Sequence, residues 1–317
     1  MKLKPKYSLG SWAFSFGPFA KAPWSFDAFC DYARDAGYDG VEINGFRPHP
    51  HPADYATPAK RRELKAQIAG RGLGISGYAP DFTAVPPAEV KEQEYLTTVS
   101  QCLDFCRDLD IKIVRVDTVS PPANHSPEEY EHRFERLCRT WRAAAEKCQQ
   151  AGVMLVWEFE PGFWLNKLSE VLRLLQTVDH PAFKALFDSS HAYMSGVVGA
   201  RQSGERETLA GGVNEFAQLL RGHIGHVHFI DSDGTLHHDE TSTHAPFGTG
   251  FVDFVSLLQT MRPDLERLKW WCFDFCFCST TQRDARSAIA FMNAVVARLN
   301  SSASCEGGPC ASIPAKW

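Results

Sequence analysis

FKALFDSSHAY, residues 183–193, is the stretch on which the fold turns. The apolar run around Phe183–Leu186 has the length of a buried strand. It ends on an acid, Asp188, and His191 follows within the same short stretch. A carboxylate in apolar surroundings costs free energy unless it is paired, hydrogen-bonded or bound to a metal. Two readings fit this stretch by itself. Either Asp188 or Ser189 caps the next helix, or Asp188 is a ligand carried to a functional rim by the strand that ends on it.

Outward from this stretch, short apolar runs alternate with longer amphipathic ones. Strands are expected at 7–14, 38–44, 72–78, 111–117, 152–160, 183–188, 224–231 and 269–277. Helices are expected at 26–37, 57–72, 89–110, 126–152, 167–178, 207–222, 253–261 and 282–299. Ser126-Pro127-Glu128-Glu129 reads as an N-cap followed by proline at the first helical position and acids in the first turn. Gly37, Gly72 and Gly152 stand where helices end before the second, third and fifth strands, and they suit left-handed C-caps. Eight strands alternating with eight helices in one unbroken series predict an α/β chain folded as a (β/α)8 TIM barrel, a single domain over residues 1–299. Residues 300–317 read as a short irregular tail, and the role of its Cys305 and Cys310 is open.

The composition fits this expectation. The chain has 317 residues, 44% apolar and 22% charged, enough for one large barrel with a sizeable core. A formal net charge of −5 argues against a nucleic-acid or anionic-membrane partner. There is no apolar run long enough to span a membrane, and the basic start, MKLKPKYSLGSW, has no apolar segment after it. The ten cysteines follow no regular framework and form no paired CxxC, so reduced, mostly buried thiols and a cytoplasmic location are expected.

In such a barrel functional groups gather at the C-terminal strand ends. The second strand brings Glu42 and Asn44 there, with His49 and His51 after them, and the fourth brings Arg115 and Asp117. The fifth brings Glu158 and Glu160, the sixth Asp188 with His191, the seventh His226, His228 and Asp231, and the eighth Asp274. Alternation puts Glu158 and Glu160 on one side of their strand, and His226 and His228 on one side of theirs. Neighbouring strands thus deliver carboxylate, carboxylate, imidazole and carboxylate to one rim. That oxygen and nitrogen set suits one divalent metal ion, Mn²⁺, Mg²⁺, Co²⁺ or Zn²⁺.

Four motifs carry a resemblance: VWEFEP (156–161), FDSSHAY (187–193), HVHFID (226–231) followed by APFGTG (245–250), and WCFDFCF (271–277). Over roughly residues 5–299 the chain resembles the xylose-isomerase-like sugar isomerase/epimerase superfamily, which also holds D-tagatose 3-epimerases, inosose isomerases and dehydratases, and endonuclease IV. The resemblance implies Glu158, Asp188, His228 and Asp274 as metal ligands, with His191 bonding a substrate oxygen. Glu160, directly before Pro161, rivals Glu158, and His226 rivals His228. On this reading Asp188 ends a buried strand because it binds a metal.

The resemblance further implies a metal-dependent epimerase or isomerase that abstracts a proton beside the carbonyl of a keto-sugar or polyol ketone, with Glu158 and Asp274 as the acid–base pair. Asp274 stands where the family has glutamate, and its shorter reach leaves open whether both carboxylates move protons. Where ketohexose epimerases carry an arginine soon after the strand-five glutamate, this chain has PGFWLNK (161–167). Trp12, Phe14, Phe16 and Trp24 crowd the end of the first strand. Such aromatics stack on a sugar face or an aromatic aglycone, or simply pack a loop. His191, Glu42, Arg115, Trp12, Glu160 and Trp164 are the substrate-binding candidates, although Glu42 is as well satisfied by Arg115, and Arg115 by Asp117. Trp270 and Trp271 read as packing between barrel and helices. The GTG at 248–250 is too short to mark a phosphate cradle.

The alternative keeps the proton abstraction and adds loss of a β-substituent: a keto-sugar dehydratase, or a 3-keto-glycoside (C-glycoside) lyase. His49, His51 or His125 would then serve as acid or base. C-glycoside-cleaving relatives imply a complex with a small β-rich subunit, beside the simpler expectation of a homo-oligomer acting on a small carbohydrate. A repair nuclease is disfavoured, since the loop HHDETSTHAPFGTG (237–250) has no Asp-x-His. The complete ligand set argues against a catalytically silent barrel.

Overall fold

Each expected apolar run forms one parallel strand of a closed barrel in the structure, a computed structural model that describes residues 2–302. The first seven strands are β1 (Lys6–Gly10), β2 (Gly40–Asn44), β3 (Gly74–Ala79), β4 (Ile113–Val116), β5 (Met154–Glu158), β6 (Phe183–Asp188) and β7 (Ile224–Phe229). β8 (Asp231–His237) and β9 (Thr241–Ala245) make a separate antiparallel hairpin, and β10 (Trp270–Phe273) closes the barrel between β7 and β1. Around it lie α1 (Phe26–Asp35), α2 (Pro58–Gly70), α3 (Glu92–Leu109), α4 (Pro127–Gln150), α5 (Leu168–Val178), α7 (Gly212–Leu219), α8 (Phe254–Leu265) and α9 (Thr281–Ser302), with the short α6 (Ser189–Tyr193) directly after β6.

The local signals act as their chemistry dictates. The Ser126 hydroxyl accepts from the Glu129 amide at 3.2 Å and starts α4, with Pro127 at its first position. Gly37, Gly72 and Gly152 take φ of 88°, 77° and 66° just past the ends of α1, α2 and α4. Trp141 on α4 lies 5.5 Å from Trp157 on β5, and its indole donates to the Tyr95 hydroxyl of α3 at 3.0 Å, so the ring is buried with its one donor satisfied. Trp271 is fully buried in the main core, edge-on to Phe229 at 5.4 Å. Trp270 instead covers the floor of the barrel, where a Cβ on Gly40 would stand 2.7 Å from its ring.

Several expectations are corrected. Ser11–Phe14 is a short 3-10 helix rather than the end of the first strand. α8 runs past 261 to Leu265, with Pro263 inside its last turn. The hairpin of β8 and β9 occupies what reads as a loop. α9 continues to Ser302, beyond the boundary expected at 299. Cys305 and Cys310 lie outside the described residues. The eight cysteines within them are all buried and free, and no helix among those residues is long and apolar enough to cross a membrane.

Register positions the site. β6 pairs with β7 so that Asp188 stands abreast of His228, and β10 pairs with β7 so that Cys272 does. Asp274 follows directly at the end of β10.

Candidate metal centre and active site

The two oxygens of Asp188 differ in their surroundings. Its Oδ1 accepts from the His191 amide at 2.8 Å and caps α6, as a helix start requires. Its Oδ2 is buried without a hydrogen-bond partner among the described residues. An orphaned buried carboxylate oxygen is costly, and Asp188 stands in a cluster of ligand-type side chains. Glu158 from the end of β5, Asp188 from β6, His228 from β7 and Asp274 after β10 each offer one such atom, and these lie within 4.8 Å of one another. Neither Glu160 nor His226 belongs to this group.

Hydrogen bonds fix each member. His228 Nδ1 meets Glu158 Oε1 at 2.8 Å and lies 3.7 Å from Asp274 Oδ2. Its other nitrogen, Nε2, lies 3.1 Å from Glu42 Oε1, while His226 Nε2 lies 2.7 Å from Glu42 Oε2. The Arg115 guanidinium rests against the Glu158 carboxylate and reaches Asp117 at 3.4 Å. Asp274 Oδ1 accepts from the Trp12 indole and from the Cys276 amide, both at 2.7 Å, with His244 Nδ1 at 3.2 Å. His191 Nδ1 is bonded to the Ser242 hydroxyl at 2.8 Å, and its Nε2 points toward Glu160, 3.7 Å away.

Burial sets the electrostatics. It opposes ionisation of Glu158, but Arg115 and His228 outweigh it and hold that carboxyl down to about 2. Asp274 is likewise held well below the usual carboxylate range, because His244 and His228 outweigh its burial. Glu160 goes the other way: burial and the neighbouring Glu158 push it up to about 8. Burial pushes Asp188 up to about 7, with Asp274 and Glu158 adding to what His244 offsets. His191 is lowered to about 3 by burial, and His244 is raised to about 9 by Asp274 against its burial. Three buried carboxylates around one imidazole, one with an unpartnered oxygen, form a donor set that fits a divalent cation. Such an ion would partner that oxygen and relieve the mutual repulsion of the acids.

Above this cluster opens a cavity of about 390 Å³, within the usual range for small-molecule sites. Trp12, Arg115, Glu160 and His191 line it, together with Glu158, His228 and Asp274. Two substrate-contact candidates are placed elsewhere. Glu42 has no exposed surface and does not line the cavity, and its oxygens are taken by His226 and His228 rather than by Arg115. Trp164 is buried away from the cavity against His125 and Tyr130, and its neighbour Phe163 lines the wall instead. His49, His51 and His125 do not line the cavity either. His49 is a buried clamp between the Ser11 hydroxyl at 3.0 Å and the Trp24 carbonyl at 3.1 Å. His51 contacts Arg47, and His125 contacts Glu129.

The sequence reading missed His244 and Thr241, both on β9 and both lining the cavity. Thr241 donates its hydroxyl to Glu160. The only sequence signal for His244 was its place between the strand-seven motif and APFGTG. The GTG segment proves to be an internal cradle. Asp231 accepts from the amides of Gly248, Gly250 and Val252 at 3.0, 2.9 and 3.0 Å.

Comparison with known proteins agrees with this architecture. A family model described as xylose isomerase-like TIM barrel matches residues 30–266. Fructoselysine 3-epimerase of Escherichia coli O157:H7 is 23% identical over 241 residues, which cover 73% of this chain and 78% of that protein. Inosose dehydratase of Halalkalibacterium halodurans is 25% identical over 200 residues, 62% of this chain and 58% of that one. Among solved structures, a D-tagatose 3-epimerase-like protein superposes with a TM-score of 0.71 at 17% identity, covering 94% of this chain and 99% of its own. A probable 3-DHS dehydratase from Bacillus anthracis gives 0.67 at 18% identity, covering 91% and 98%. At those identities the two structures speak to the fold.

Proposed function

Because the chain belongs to the xylose isomerase-like TIM-barrel family, we propose that it is a divalent-metal-dependent epimerase or isomerase that abstracts a proton beside the carbonyl of a keto-sugar or polyol ketone. The observation that carries this reading is the unpartnered, buried Asp188 Oδ2 within a four-residue donor cluster beneath a cavity. Glu158, Asp188, His228 and Asp274 would hold the ion, Mn²⁺ by preference. When bound there it supplies Lewis-acid polarisation of the substrate carbonyl, which acidifies the adjacent C–H.

The chain's own residues do the rest. Glu158, kept ionised beside Arg115, takes the proton. Asp274 lies on the other side of His228 and is the partner for return of a proton. Its Oδ1 is already engaged by Trp12 and Cys276, so Oδ2 would serve both the ion and that proton. His191 is neutral and anchored through Nδ1 to Ser242, which leaves Nε2 for a substrate oxygen.

One observation favours a second outcome. Glu160 lines the cavity and is held neutral at physiological pH by burial, which suits it to give a proton to a departing group. Elimination after the same first step makes the protein a keto-sugar dehydratase or 3-keto-glycoside lyase. The experiment is NMR in D₂O on chelator-treated protein resupplied with Mn²⁺, across ketoses, inososes and 3-keto-glucosides. Deuterium entering the carbon beside the carbonyl, with the skeleton intact, is the expected result. Exchange with loss of water or aglycone moves the reading to the lyase, and absence of exchange with every compound overturns both.

A further inference from the structure

A second cavity, of about 950 Å³, opens at the other end of the barrel. Gly74, Ile113, Met154, Ile224 and Trp270, which line it, are the first residues of β3, β4, β5, β7 and β10. Two glycines leave its inner wall bare. Gly40 and Gly74 stand abreast in β2 and β3, in a layer that bulky branched side chains usually fill. Trp270 lies across the gap, and a Cβ on Gly40 or Gly74 would come within 2.7 or 2.9 Å of its ring.

The charge around this cavity runs against that of the chain. Lys65, Lys112, Lys184, Arg267 and Lys269 line it with a single acid, Asp110, in a molecule whose formal charge is −5. Part of that charge is already matched. Lys112 pairs with Asp110 at 2.8 Å, Arg267 pairs with Asp264 at 2.5 Å, and Lys184 Nζ donates to the Gly222 carbonyl at 3.1 Å. Lys65, Lys269 and the nearby Lys6 form no ion pair among the described residues. Lys6 and Lys269 rest instead over the Trp270 ring, 5.7 and 5.8 Å from its centroid. Asp110 is held below the usual carboxylate range by its hydrogen bond to Lys112, and Lys65 and Lys269 add to the effect, so three ammonium groups converge on one acid.

Like charges gathered around one concave surface repel each other, and an anion seated among them removes that cost. Half-buried Ile75, Ile113, Met154 and Leu268 supply apolar walls, and low-dielectric walls focus the field of such a cluster. We propose that this cavity is a binding site for a small, multiply charged oxyanion ligand of the phosphate type, separate from the metal centre at the opposite rim. The inference does not depend on the keto-sugar reading. Lysine serves phosphate as a point charge, and several separated ammonium groups favour a ligand with more than one negative charge. A soluble phosphorylated compound and a phospholipid headgroup share this chemistry; a concave pocket suits the soluble one.

Calorimetry on the full chain without added divalent ion tests this with inorganic pyrophosphate, orthophosphate, and phosphatidylcholine vesicles containing phosphatidic acid. Pyrophosphate is expected to bind wild type about tenfold more tightly than orthophosphate. Two double variants of equal net charge then locate the site. Lys65→Glu with Lys269→Glu reverses two amines of the cavity, and Lys21→Glu with Lys60→Glu reverses two that do not line it. All four residues are exposed, so both variants are expected to fold. The first should weaken pyrophosphate binding by about tenfold, and the second by less than about twofold. Absence of saturable binding to wild type, orthophosphate as tight as pyrophosphate, equal losses in both variants, binding that survives the first variant, or attachment to vesicles alone overturns the site.

Discussion

Glu42 shows how much one residue can set from beneath a site. Its carboxylate is wholly buried and held well below the usual carboxylate range, because His226 and His228 outweigh the burial that opposes ionisation. By engaging His228 Nε2 it leaves Nδ1 facing Glu158 and Asp274. Such outer partners orient a ligating imidazole, and their loss commonly weakens metal binding by about 10–100-fold. Glu42→Gln is therefore expected to stay folded and to bind Mn²⁺ more weakly by that factor in a calorimetric titration; unchanged affinity would remove Glu42 from the account. Strand alternation shows that Glu42 points inward. It does not show whether Arg115 or the histidines meet it, because that choice depends on the stagger of strands around the ring. A second residue-scale prediction concerns His49, lowered to about 4 by burial despite its bond to the Trp24 carbonyl. A histidine depressed on folding binds its proton more readily in the unfolded chain, so its contribution is present above about pH 6.5 and is lost as pH falls from there toward 4. The loss amounts to about 3 kcal/mol at the low end. Denaturant titrations between pH 7 and 4 should show this slope in the wild type and a flatter one in His49→Asn; identical slopes would contradict it.

At the scale of elements, the hairpin of β8 and β9 carries much of what the sequence did not disclose. The eight barrel strands were legible because each is an apolar run bounded by turn or cap residues. DSDGTLH and TSTHA have no such pattern, and their placement comes from side-chain bonding instead. Asp231 is fully buried and its oxygens take the amides of Gly248, Gly250, Val252 and Ser232. A Cβ on Gly250 would lie 2.3 Å from the Ser232 carbonyl oxygen, which explains glycine at that position. Leaving several buried donors unpaired is expensive. Asp231→Ala is thus expected to cost about 3 kcal/mol in chemical denaturation and to loosen His244 and Thr241 on β9; a variant of wild-type stability would show that the hairpin stands without this cradle. The short helix after β6 was equally hidden, since five residues offer no periodicity, although its capping acid was visible.

At the scale of the whole molecule, the barrel is what turns four separated motifs into one cluster. Glu158, Asp188, His228 and Asp274 span much of the chain, and they converge because β5, β6, β7 and β10 are consecutive staves whose C-terminal ends share one rim. The ring order was readable from the unbroken alternation of strands and helices. The registers, which place Asp188 beside His228, were not, because they follow from irregularities such as the shift between Ala185 and Leu186. On the reading proposed above, this rim is a single divalent-metal centre. Titration of Mn²⁺ into chelator-treated protein, followed by calorimetry, tests it most directly when paired with Asp188→Asn. That variant keeps an oxygen to accept from the His191 amide and cap α6, and it loses the charged, unpartnered one. One ion should bind per wild-type chain, and the folded variant should retain none. Absence of binding to the wild type, or equal binding to both, would contradict it.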